Sequence, residues 1–143
     1  MITMIHSGWA YITVLILIIA VGNAIIGVTS NKEFKDKDLR ISLFALIVAH
    51  IQLLIGLIAY FTSSQFAFVK EHGMGAAMKD PEIRLVVMEH PLMMILAVIL
   101  ITVGFSKHKN KSTDKAKYKT ITLYYGVALL FVLSRIPWGE WFN

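Results

Sequence analysis

The sequence predicts an all-α membrane protein, a four-transmembrane-helix up-and-down bundle with its N and C termini on the outer (periplasmic) side. Three observations predict it. Of the 143 residues, 57% are hydrophobic and only 16% charged, too few charges to clothe a soluble exterior. Those charges collect between long apolar runs instead of recurring along them at helical spacing. The basic residues are also shared unevenly among the connections, as a fixed orientation in a membrane requires.

A hydrocarbon core about 30 Å thick is crossed by about 20 apolar helical residues. Four stretches qualify, at 5–29, 41–62, 85–105 and 120–134, in one domain covering 1–143. Ile136, Pro137 and Trp138 extend the last to 138, because proline and indole suit a helix end at the headgroup boundary. Backbone in lipid must satisfy its own hydrogen bonds, and these stretches lack the alternation of a barrel, so helices are expected. The first is read as a retained helix. No Lys or Arg precedes Lys32, the run is too long for a leader, and no small-residue cleavage site follows it.

Orientation follows from Lys and Arg. Lys32, Lys35, Lys37 and Arg40 lie between the first two helices, and Lys107, Lys109, Lys111, Lys115, Lys117 and Lys119 between the last two, ten of the fourteen basic residues. The positive-inside bias puts both connections in the cytoplasm and leaves the termini and the central connection, about 63–83, outside. The net charge of +5 then faces the lipid bilayer's anionic headgroups, and no nucleic-acid partner is expected. The central connection holds Gly73, Gly75 and Pro81 and is long enough to fold over a site. With no cysteine in the chain, disulfides, thiolate metal sites, iron–sulfur clusters and covalent c-type heme are excluded.

The two halves carry a faint repeat. The first helix opens with His6 and ends through Gly22, the third opens with His90 and ends through Gly104, and the second and fourth follow Arg40 and Lys119. If the hairpin is duplicated, His6 and His90 occupy equivalent places on helices that lie diagonally across the bundle.

Ionisable groups inside a membrane are costly and mark function. Here they are His6, His50, Glu89, His90 and Arg135, with Gln52 and Asn23 as neutral companions. At about 1.5 Å per residue, His6 and His90 both lie within roughly 8 Å of the outer surface. Two neutral imidazoles at one depth on diagonal helices are the ligand set of a bis-histidine heme b. They are the candidate iron ligands, weighed against an interfacial His6 and a His90 bonded only to backbone. Gly8 would leave room for the ring edge, and Arg84 and Arg135 suit propionate carboxylates. His50 lies deeper, and pairs with His90 only if the third helix is shifted or the heme tilts. With Gln52 it suggests a quinone or proton site, and the plainer reading has it bonded to Gln52 or Asn23. Glu89 is either a proton carrier or the partner of Arg84 or Arg135. Met88, Met93 and Met94 read as packing. His72 and His108, placed in loops, receive no role.

The runs His-Ser-Gly-Trp-Ala-Tyr at 6–11, Ala-His-Ile-Gln-Leu-Leu-Ile-Gly at 49–56, Glu-His-Pro-Leu-Met-Met at 89–94 and Ser-Arg-Ile-Pro-Trp at 134–138 resemble the small four-helix bacterial membrane proteins labelled "cytochrome B". More distantly the chain is similar to one four-helix half of heme A synthase, with Gln52 and Gly56 as its Gln-x-x-x-Gly and His6 and His90 in the ligand positions. No Glu stands one turn before His6, and there is one half instead of two. The resemblance implies a multi-pass protein of the bacterial inner (cytoplasmic) membrane. It implies a b-type cytochrome that passes electrons from quinol within a respiratory assembly, as a subunit of a larger complex or a homodimer. Rival readings are a heme-free accessory subunit and a heme-modifying enzyme of the synthase type.

Overall fold

The computed structural model describes residues 1–141, and among them every regular element is helical. Helices α1 (Ile2–Thr29) and α2 (Asp36–Phe61) form a hairpin, followed by short α3 (Ser64–His72), α4 (Met74–Lys79) and α5 (Pro81–Arg84). A π-helical turn, Leu85–Glu89, leads into α6 (His90–Lys109), which is followed by α7 (Asp114–Arg135) and the single turn α8 (Trp138–Trp141). Three continuous helical stretches, Ile2–Thr29, Asp36–Phe61 and Pro81–Lys109, are long and apolar enough to cross a membrane. Helix α7 is 22 residues long but is not among them.

The long helices pack in a ring, α1 against α2 and α7, and α6 against α2 and α7. Helices α1 and α6 therefore face each other across the diagonal. The side chains are arranged inside out relative to a soluble protein. Ala20, Ala24, Ala45, Ala49, Ala97 and Ala128 are buried, while Leu15, Ile18, Phe44, Leu54, Ile99 and Leu130 are exposed. Between helices in lipid, small residues permit the close backbone approach that supplies van der Waals attachment, and large apolar side chains lose nothing by facing hydrocarbon.

The helix ends differ from those expected at 5–29, 41–62, 85–105 and 120–138, for a common reason. Charged residues were read as boundaries, but several belong to the helices. Asp38 accepts from the Lys35 backbone N–H at 2.9 Å and from Asn23 Nδ2 at 2.9 Å, so α2 begins a turn earlier, at Asp36, where a carboxylate satisfies orphan donors and the helix dipole. Thr113 Oγ1 accepts from Ala116 N–H at 3.1 Å and starts α7 among its lysines. At the other end, Ile136 is extended (ψ 133°), as a residue before proline must be. The chain therefore does not continue as one helix to 138.

The Lys-rich end is held by a polar clasp that the sequence alone does not disclose. Asp38, 4% exposed, holds Asn23 and Lys35 as described, and Tyr118 Oη donates to the Glu33 carbonyl at 2.9 Å. Tyr125 Oη donates to the Ser42 carbonyl at 2.8 Å. Gly27 and Gly104 complete the packing, since a Cβ at either would overlap the side chains of Tyr118 and Tyr124 respectively. The repeat read in sequence thus does not extend to these glycines, because Gly22, paired there with Gly104, faces open space.

Candidate functional site

The opposite end of the ring holds the chemistry. His6, one turn into α1, is fixed by Gln52 of α2, whose Nε2 donates to both His6 Nδ1 and the His6 carbonyl at 3.0 Å each. With Nδ1 accepting, the neutral ring carries its proton on Nε2. One turn further along α2, Gly56 leaves the space in which the imidazole rests, for a Cβ there would lie 3.2 Å from His6 Cε1. The Gln-x-x-x-Gly spacing thus has a physical meaning, one residue gripping the histidine and the next turn making room for it. Gly8, by contrast, has nothing within 4 Å of a Cβ position.

His90 is placed by a break in its own helix. Pro91 has no N–H to offer the Val87 carbonyl four residues back, and the chain widens into a π turn in which His90 N–H bonds to Leu85 O. Such bulges re-aim the residues around them. The Val87 carbonyl left over accepts from Tyr60 Oη of α2 at 3.0 Å. Tyr60→Phe should therefore cost about 1 kcal/mol, read as a lower unfolding midpoint in detergent with faster amide exchange confined to the π turn. His90 Nδ1 lies 2.8 Å from the Arg135 carbonyl. Since a carbonyl only accepts, Nδ1 carries the proton and Nε2 the lone pair, the tautomer in which a histidine ligates through Nε2.

Across the diagonal the His6 and His90 rings have centroids 6.2 Å apart and planes at 87°. Both line one cavity of about 480 Å³, together with Ser7, Gln52, Gly56 and Met94, a volume within the usual range of about 300–1,000 Å³ for cofactor and ligand pockets. Its walls are mainly apolar, and toward the helix ends they carry the hydroxyls of Thr3, Ser63 and Ser64. Among the described residues, no group of three or more His, Cys, Asp or Glu is placed to hold a metal ion.

The other candidates are distributed around this pair. Arg84 Nε donates to Glu89 Oε2 at 2.8 Å, and Arg135 Nε approaches Glu89 Oε1 at 3.5 Å, so Glu89 is bracketed by two guanidinium groups. Neither arginine lines the cavity, though the Arg135 backbone holds His90. His50 is outside the cavity wall and exposed on the apolar exterior. It bonds to Leu46 O at 2.8 Å and approaches Thr102 Oγ1 at 3.4 Å, and neither Gln52 nor Asn23 is its partner. His72 is exposed in α3 beside Phe68. His108 is helical and 1% exposed, stacked near Phe34 and Phe105 with Nδ1 on the Phe105 carbonyl, whereas the sequence placed it in a loop.

Sequence reasoning missed Tyr60. The signal for it was half present, because Pro91 marks Val87 as a carbonyl needing a donor, but only the fold says that α2 supplies one. The chain matches no family model, no curated protein and no solved structure.

Proposed function

We propose that this chain is a b-type membrane cytochrome holding one noncovalent heme between His6 and His90, and that it carries electrons within a quinone-linked assembly of the bacterial inner membrane. The observation that carries the reading is the placement of the two rings. Two neutral imidazoles that reach one pocket from opposite helices are the residues that would hold a heme iron. The rings lie 6.2 Å apart on diagonal helices, over a shared cavity. In this reading α7 is the fourth crossing, both termini and α3 to α5 lie on the outer side, and the Lys-rich end faces the cytoplasm.

Heme, when bound, supplies a one-electron couple whose potential the axial imidazoles and the surrounding polarity set. The chain's own residues do the rest. His90 is already in the ligating tautomer, oriented by the Arg135 carbonyl. His6 needs its proton moved to Nδ1, and Gln52 can accept it there: Gln52 Oε1 is, among the described residues, a buried side-chain oxygen with no hydrogen-bond partner, and turning the amide presents that oxygen to Nδ1–H. Arg84 and Arg135, sharing Glu89 outside the cavity wall, leave one surplus positive charge near His90, which would offset one of a heme's two propionates. The mainly apolar walls lower the local dielectric.

Outer partners of metal-bound histidines contribute about 10–100-fold to affinity, and Gln52→Leu is expected to weaken heme binding by that factor, measured by hemin titration. The reading as a whole is tested by the visible spectrum of the protein purified from heme-replete cells. Reduced-minus-oxidised bands of six-coordinate b-type heme at one per chain are expected. Protein that takes up no heme from cells or from added hemin contradicts the reading and favours a heme-free accessory subunit. A bound porphyrin chemically altered on extraction favours a heme-modifying enzyme.

A further inference from the structure

The two ends of the ring differ in charge. The Lys-rich end carries ten basic residues, between Lys32 and Arg40 and between Lys107 and Lys119, against four acidic ones, Glu33, Asp36, Asp38 and Asp114. Asp38 is taken up inside the clasp. Among the described residues the ion pairs all lie toward the opposite end, on His72, Arg84 and Arg135, so none of the ten is ion-paired within the chain. Gathered like charges repel, and an anion from outside the chain relieves them.

One of these cations stands at the head of a groove. On the outer side of the contact between α1 and α7, Ile25, Val28 and Thr29 of α1 and Lys119, Thr122 and Leu123 of α7 line a space of about 270 Å³. Thr29 Oγ1 donates to the Ile25 carbonyl at 3.1 Å and Thr122 Oγ1 to the Tyr118 carbonyl at 2.8 Å. Both hydroxyl protons are thus spent within their own helices, and the exposed Lys119 ammonium is the donor left for an occupant. Gly22 and Gly126, about one turn further from the charged end on the same helix faces, have nothing within 4 Å of a Cβ position, so the path beyond Ile25 and Leu123 is open as well. Lys119 is also the last charged residue before the uncharged run 120–134, which sets it at headgroup depth and the groove beyond it in hydrocarbon.

We propose that the α1–α7 groove binds an anionic phospholipid, its phosphate on Lys119 and one acyl chain along Ile25, Val28 and Leu123. Lys115, one turn earlier on the same face of α7, extends the cationic end toward water. A zwitterionic lipid fits the apolar trough equally well, but it brings its own ammonium among cations that already lack partners. Charge therefore decides between the two. The site asks nothing of the heme reading and rests only on the chain's lying in a membrane.

The test is native mass spectrometry of the whole chain released from detergent micelles, after titration with phosphatidylglycerol and separately with phosphatidylcholine of the same acyl chains. One phosphatidylglycerol per chain is expected to bind at least about fivefold more tightly than phosphatidylcholine, the worth of one lysine at an anionic headgroup. Lys119→Gln, an exposed change that should leave the unfolding midpoint alone, is expected to remove that factor. Lys37→Gln takes the same charge from the same end, but on α2, which lies diagonal to α7, and should cost less than about twofold. Thr122→Phe fills the groove, breaks no bond between helices, and should weaken phosphatidylglycerol binding with every charge in place. Equal affinity for the two lipids, equal losses in Lys119→Gln and Lys37→Gln, or binding unaltered in Thr122→Phe overturns the proposal. Inorganic phosphate that displaces the lipid at equal concentration also overturns it and makes this end a plain anion site. So does a dimer that Thr122→Phe dissociates with no lipid bound, which makes the groove a contact between copies of the chain.

Discussion

Replacing either His6 or His90 with alanine is expected, on the cytochrome reading, to lower heme affinity by more than about 100-fold, since losing the ligand itself should exceed the 10–100-fold cost of losing a ligand's outer partner. Each ring is oriented through Nδ1, His6 by Gln52 and His90 by the Arg135 carbonyl, and in the proposed reading each Nε2 would hold the iron once the His6 proton has moved to Nδ1. Removing one imidazole leaves five-coordinate iron at best, and the low-spin spectrum should collapse to high-spin or disappear. Substitution also removes a hydrogen bond that ties helices together, so lost heme alone would not separate ligation from folding. Glycine variants supply the distinction: His90→Gly with imidazole added in solution should recover the six-coordinate spectrum if the cavity persists. His72→Ala and His50→Ala, both outside the cavity wall, should leave the spectrum unchanged.

Gly27→Leu is expected to destabilise the fold by about 3 kcal/mol, because overpacking a tight contact costs about 1–3 kcal/mol and more where neighbours cannot move. Tyr118 cannot easily move. It is 1% exposed, its hydroxyl is committed to the Glu33 carbonyl, and its ring lies 5.0 Å from that of Phe34. A Cβ on Gly27 would overlap that ring, so α1 and α7 would have to separate and the Asp38 clasp beside them would open. Denaturant unfolding in detergent micelles reads the effect as a lower midpoint. Gly22→Leu, five residues earlier on the same helix but facing open space, should be nearly silent, which rules out a general intolerance of α1 to leucine.

Much of the fold is legible because lipid imposes a coarse rule. Uncharged runs about 20 residues long can be read as spanning helices without any knowledge of their neighbours, and three such stretches are present. Helix ends were less legible, because Asp38 and Thr113 cap helices from within charged segments that composition alone assigns to loops. His6 and His90 could be singled out because ionisable groups are scarce in apolar runs, and depth arithmetic places them at one level. What surrounds them could not be read. Gln52 turns toward His6 and not toward His50, two residues away, because helical geometry sends neighbouring side chains to different faces. The π turn arises from Pro91, yet its consequence, a carbonyl answered by Tyr60, needs the position of α2. Likewise the pairing of Arg84 and Arg135 on one carboxylate depends on how α6 and α7 meet, which no sequence interval encodes.

The most direct measurement of the central claim is low-temperature electron paramagnetic resonance of the oxidised protein. If His6 and His90 hold a ferric heme iron, two imidazole ligands would make it low-spin, and its paramagnetic signal reports that ligand set directly. The account predicts that signal in the native chain, with one spin per protein, and its loss in His6→Ala and His90→Ala. A native spectrum that is high-spin, or a low-spin signal that survives removal of either histidine, would contradict it.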